Sequence, residues 1–285
     1  MKKSYRKQIA IKTAKLISQV FGKKLFGYLI LFFARVGQID LLTFAYNRIG
    51  VLNSENNTVS GELFVIKIFL KEKLIEEKSI IFDVGANIGG YAEILYKEFP
   101  LSKIFAFEPT LSTYKFLEKK FLNSTVQTFN IGFGAEKKTN QKIYSYSHDD
   151  GSPHNSVFDE VFTELYKTGT PKEMNFNCTT IDHFCHENNI HSIDFLKIDT
   201  EGNEFDILNG ASKMLKENRI KFIQFEFNEM NIISKVFLRD FYNLLKQYKL
   251  YRLSEKKLIS LETYSSTNEI FKFQNILAVN NNLSN

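Results

Sequence analysis

The chain has 285 residues, 44% of them apolar and 24% charged. That supports one well-filled core with an appendage and excludes a disordered, collagen-like or repeat protein. The net charge of +5 is uneven: the first 24 residues carry eight Lys/Arg and no acid, so the remainder has a slight acidic excess and is not a nucleic-acid-binding surface.

Residues 1–50 read as helical, with apolar residues three to four apart and basic residues between them. The apolar run 25–34 is half of the ~20 residues a membrane span needs. Helices packed on the domain are the expected reading, and a peripheral membrane contact through residues 1–35 is the alternative. A polar break at 53–61 follows, so residues 1–58 form a basic helical extension and 59–285 the main domain. The only cysteines, Cys178 and Cys185, make no disulfide framework, which fits a reduced, cytoplasmic protein.

From residue 62 the pattern alternates. A short helix over 62–74 leads to a strand at 79–84, a helix at 89–99 and a strand at 103–109. A helix at 110–122 starts at Thr110 as N-cap, and a strand and turn span 125–134. Three β–α steps in one run imply a parallel, doubly wound sheet. The polar stretch 137–177 is too long for a plain loop and reads as an insertion over the sheet edge, so 131–180 is the expected acceptor region. The alternation resumes with a helix at 180–190, capped by Thr180, a strand at 192–202 and a helix at 203–218. A strand at 220–229 and a helix at 234–248 follow. Two last strands, 248–254 and 272–280, have no helix between them and should be antiparallel neighbours. The fold class is α/β: a Rossmann-like, mostly parallel sheet of the class I methyltransferase outline, with an antiparallel C-terminal pair and N-terminal helices.

The first strand runs into "FDVGANIGG". Gly85 and Gly89 suit a strand-to-helix turn, but Asn87 stands where a dinucleotide turn has its middle glycine. Asp83, two residues before Gly85, repels a pyrophosphate and suits a cation, such as the ammonium of S-adenosylmethionine. Ala86 lies inside the same turn. Glu108 ends the next strand, where a carboxylate accepts the two ribose hydroxyls. Asn130 and Ile131 in "FNIGFG" are candidate adenine contacts. Asp199 and Glu201 in "IDTEG" and Glu226 in "QFEFNE" sit at the carboxyl edge, where open α/β sheets bind ligands.

These segments, "FDVGANIG", "FEP", "NIGFG", "TTIDHF", "DFLKIDTEGNEFDILNGA" and "FIQFEFNE", taken in order over residues 60–280, resemble the FkbM family of S-adenosylmethionine-dependent methyltransferases. The resemblance implies an O-methyltransferase acting on a hydroxyl, most often of a sugar in a surface glycan or glycolipid. A polyketide or other small-molecule hydroxyl is the alternative acceptor, and an NAD-dependent oxidoreductase the alternative chemistry.

Transfer to an alcohol needs in-line alignment and a proton acceptor. Asp199, Glu226 and His154 are the candidate catalytic groups, and Glu201 and His154 the candidate acceptor contacts. No metal site is expected, since His183, Cys185, His186 and His191 match no zinc spacing and read as solvated helix residues.

Overall fold

The computed structural model describes residues 2–146 and 155–283. Two compact units divide the chain, Met1–Arg48 and Ile49–Asn285.

The first unit holds α1 (Lys2–Val36), interrupted at Gly22, and α2 (Leu41–Arg48). The corner between them is built from both sides. Gln38 is left-handed at φ 54°, the Ile39 N–H reaches the Ala34 carbonyl at 2.8 Å, and the Gln38 N–H reaches Arg35 at 3.2 Å. This closes α1 as a Schellman motif. The Asp40 carboxylate then caps α2, accepting from the Leu42 N–H at 2.9 Å and the Thr43 hydroxyl at 2.7 Å. Leu25, Tyr28, Leu31, Phe32 and Phe33 are all exposed.

The second unit opens with α3 (Glu62–Phe64), which runs into a π-helical turn, Val65–Leu70. Then come β1 (Ile80–Val84), α4 (Gly90–Glu98), β2 (Lys103–Phe107) and α5 (Leu111–Phe121). Next are β3 (Gln127–Phe129), β4 (Gly132–Phe133), β5 (Lys138–Ser145) and β6 (Lys172–Thr179). After α6 (Ile181–Glu187) come β7 (Ile193–Ile198), α7 (Glu204–Asn209), α8 (Ser212–Lys216) and β8 (Ile220–Phe227). The chain closes with α9 (Met230–Ile233), α10 (Leu238–Leu244), β9 (Tyr248–Ser254), β10 (Lys257–Ser260) and β11 (Gln274–Asn280).

The main sheet has the order β10-β9-β11-β8-β7-β1-β2-β3. Strands β3, β2, β1, β7 and β8 are parallel, and β11 lies antiparallel between β8 and β9. This is the methyltransferase outline expected from the sequence. The order reverses at β1 and β7, the switch point where such sheets bind ligands. Alternation along β1 sends Phe82 and Val84 to one core layer, with Phe107, Phe184 and Phe225, and Ile81 to the other, with Leu95, Phe195 and Phe222. Phe225 and Phe241 stack at 4.4 Å, which fastens α10 to the sheet.

Several elements depart from the sequence reading. The strand expected over 125–134 is two short ones. β3 closes the main sheet, and β4 joins β6 and β5 in a separate three-stranded sheet built from the insertion. The helix expected over 203–218 breaks at Gly210, where a Cβ would overlap the Gly134 carbonyl. The helix expected over 234–248 shortens to α10, and the hairpin strand β10 had no signal strong enough to mark it. Thr180 caps α6 through the His183 N–H at 3.1 Å, whereas Thr110 occupies the N-cap of α5 without a side-chain cap bond. Cys185, read as solvated, is buried, and burial pushes its thiol up to about 12.

Candidate active site

The turn after β1 opens at the switch point. Gly85 is left-handed at φ 80°, and a Cβ there would overlap the Asp199 carbonyl, so only glycine lets the ends of β1 and β7 approach this closely. Asn87, at φ 51°, turns the chain so that its N–H donates to Glu108 Oε2 at 3.1 Å. The Thr110 N–H donates to the other carboxylate oxygen at 2.8 Å. The Asn130 amide holds the strand end by donating to the Glu108 and Pro109 carbonyls at 2.9 and 3.0 Å. Burial raises the Glu108 carboxyl to about 7, and the hydrogen bonds from Thr110 and Asn87 oppose the rise. The Thr110 hydroxyl also donates to this carboxylate, which has about four acceptor positions, so room remains for a ligand hydroxyl.

Beside this turn lies a cavity of about 390 Å³. Gly85, Ala86, Asn87, Glu108, Ile131, Asp199 and Glu201 line it, as the sequence reading places them. Asp83, Gly89, Asn130 and Glu226 do not line it, and His154 lies outside the described residues. Gly89 instead caps α4, where a Cβ would press on the Phe121 ring.

Asp83 is the main correction. It was expected to meet a ligand ammonium, but it is fully buried and pairs with Lys197 Nζ at 3.4 Å. The two are register partners across β1 and β7, on the sheet face of Ile81 and Phe195. Lys197 also pairs with Asp199 at 3.2 Å and lies 4.7 Å above the Tyr91 ring. Burial alone pushes the Lys197 ammonium down, but Asp199, Asp83 and Glu62 together raise it, so it stays cationic. Asp83 thus holds the lysine that orients Asp199.

Glu62, Tyr91 and Lys197 also line the cavity; the first two had no signal in the sequence, and Lys197, inside the "DFLKIDTEG" segment, had no role assigned to it. Glu62 accepts from Ser60 Oγ at 2.7 Å and from Gln224 Nε2 at 3.3 Å, and the Tyr91 hydroxyl donates to Gln224 Oε1 at 3.0 Å. Burial raises the Glu62 carboxyl, and Lys197 opposes this.

After β7 the chain turns through Glu201 at φ 57° and Gly202 at φ 107°. Glu204 holds the turn, accepting from the Thr200 N–H at 2.8 Å and the Gly202 N–H at 3.1 Å. The insertion is tied to both sides of the cleft. Ser156 donates to the Glu201 carbonyl at 2.8 Å, and the Asn155 amide donates to the Thr110 hydroxyl at 3.1 Å.

The model of the methyltransferase FkbM domain matches residues 83–252, which take in the turn, Glu108 and the β7 acids. The chain belongs to the FkbM methyltransferase family. Hexuronic acid methyltransferase AglP of Haloferax volcanii is 25% identical over 156 residues, 55% of this chain and 59% of the relative. Methyltransferase 1 of Beauveria bassiana is 27% identical over 165 residues, 53% of this chain and 66% of the relative. Both matches therefore cover less than two thirds of the relative's own length. A crystal structure of an FkbM methyltransferase from Methylobacillus flagellatus, 12% identical, aligns over 74% of this chain and 46% of its own with a TM-score of 0.43.

In this FkbM domain Glu226 ends β8, buried and outside the cavity lining. Burial, then Asp199, Glu201 and Glu204, raise its carboxyl well above the ordinary range. Among the described residues no three His, Cys, Asp or Glu side chains converge as a metal site.

Proposed function

We propose that the chain transfers the methyl group of S-adenosylmethionine to a hydroxyl of a sugar. The charge of the cavity carries this reading. Four acids line it, Glu62, Glu108, Asp199 and Glu201, against one cation, Lys197, which is already paired twice. A pyrophosphate finds no free cation among the described lining residues, whereas a sulfonium amino acid with its ammonium finds acids. This charge favours the methyltransferase reading over the oxidoreductase alternative.

The bound donor supplies an electrophilic methyl on a cationic sulfur, and the chain's residues do the rest. Glu108, braced by the Asn87 and Thr110 amides, accepts the ribose hydroxyls. Ile131 and Phe133 offer the adenine an apolar wall. Glu62 and Asp199 take the ammonium, the role Asp83 is too deeply buried to play. At the acceptor, Glu201 positions the sugar. Glu226, at the end of β8 behind the cavity, is the proposed base for the hydroxyl proton. His154 is the other proposed base. The relative AglP is a hexuronic acid methyltransferase, which supports a sugar acceptor.

Titration calorimetry with S-adenosylhomocysteine tests the donor. Binding in the micromolar range is expected, and no heat at high micromolar ligand would sink the proposal. Transfer of labelled methyl to a panel of sugars and glycolipids then tests the acceptor.

A further inference from the structure

The first unit presents an exposed apolar surface bordered by positive charge. Leu31, Phe32, Phe33 and Val36 are 57%, 60%, 66% and 68% exposed, and Leu42 and Phe44 continue the surface on α2. Soluble monomers rarely leave so continuous an apolar run in water. Residues 1–48 carry ten Lys/Arg and a single acid, Asp40, which is occupied in capping α2. Lys23 and Lys24 immediately precede the run, Arg35 lies within it and Arg48 ends α2.

We propose that residues 12–48 dock on the surface of an anionic lipid bilayer, lying in the interface rather than crossing it. Apolar side chains enter the acyl boundary while the flanking lysines meet anionic headgroups. Crossing is disfavoured by length. The apolar part of α1 is Gly22–Val36, about 22 Å of helix against a hydrocarbon core of about 30 Å. Adding α2 does not extend it, because the two helices are bent by 101°. That corner is fixed by the Schellman closure and by Asp40, a carboxylate that is costly to carry to mid-bilayer. A second copy of this chain would set ten positive charges against ten. Nucleic acid would neutralise the lysines and leave the Leu and Phe side chains in water.

Flotation of the full chain with vesicles tests the proposal. One set is phosphatidylcholine alone, and the other contains one quarter phosphatidylglycerol. The chain should float with the anionic vesicles, fail to float with the neutral ones, and lose affinity as salt rises. Lys23→Gln with Lys24→Gln should weaken binding roughly thirtyfold, about fivefold per charge. Phe32→Ser with Phe33→Ser should weaken it comparably, with thermal unfolding of the second unit unchanged. The proposal fails if the chain does not float, or if neither pair of substitutions matters. It fails as well if carbonate at high pH leaves the chain in the membrane, which marks a span. Polyglutamate binding as tight as vesicle binding, with the Phe variants unaffected, would assign the surface to an acidic protein and overturn it too.

Discussion

In the proposed function, donor binding is concentrated in the Glu108 carboxyl. Burial raises it to about 7, so it holds its proton more tightly in the folded chain than in the unfolded one. Its contribution to stability is therefore greatest below the ordinary carboxyl range and declines as pH rises toward 7. Glu108→Gln removes this dependence, so the variant should gain on the order of 3 kcal/mol relative to the parent between pH 4 and pH 8, measured by urea unfolding. The same titration acts oppositely on the ligand. A ribose diol needs the ionised carboxylate, so S-adenosylhomocysteine affinity should fall as pH drops below 7, by at most about tenfold per unit. In Glu108→Gln the affinity should be weak and flat with pH, and a pH slope that survives the substitution would contradict the assignment. Lys197 is the other decisive residue. Lys197→Met leaves Asp83 buried without its partner and should cost about 3–5 kcal/mol. Adding Asp83→Asn should restore much of that loss, because the uncompensated charge is then gone.

Among the elements, what the sequence made legible followed local period and strand ends. Gly85, Asn87, Glu108, Asp199 and Glu201 were readable because each sits where a strand period stops at glycine, proline or acid. Asp83 was readable in position and misread in direction. Alternation places it on the face of Ile81, and its partner Lys197 lies on another strand, so only the register of β1 with β7 brings them together. Glu62 and Tyr91 escaped for a related reason: both come from helices, and a helix face is not assigned until the sheet order is known. The split of 125–134 depended on a second sheet that only the insertion supplies. Among the bonds that fasten the described part of that insertion are Ser156 to the Glu201 carbonyl and Asn155 to the Thr110 hydroxyl. Ser156→Ala with Asn155→Ala should loosen it by about 1–2 kcal/mol. The expected kinetic effect is a severalfold rise in acceptor KM with donor affinity nearly unchanged. A matching loss of donor affinity would show that the insertion serves the donor instead.

For the whole molecule, the balance of charge around the cavity bears on which sugar the proposed reaction takes. The relative AglP is a hexuronic acid methyltransferase, yet the cavity here carries Asp199, proposed to meet the donor ammonium, and Glu201, proposed to face the acceptor, and the doubly paired Lys197 is the one cation among its described lining residues. A uronate carboxylate held about 5 Å from one of these acids meets roughly 3 kcal/mol of repulsion at the effective dielectric of a partly buried site. A neutral hexose meets none. The chain should therefore methylate a neutral sugar with a kcat/KM about a hundredfold above that of the matching uronic acid. Glu201→Gln should narrow that gap by admitting the uronate, without improving the neutral sugar. Rising salt should narrow it less, because the acids around the cavity are only partly reached by counterions. A uronate preferred by the parent enzyme would reverse this reading of the acceptor and leave the reading of the donor intact, since the donor is judged separately by its own binding.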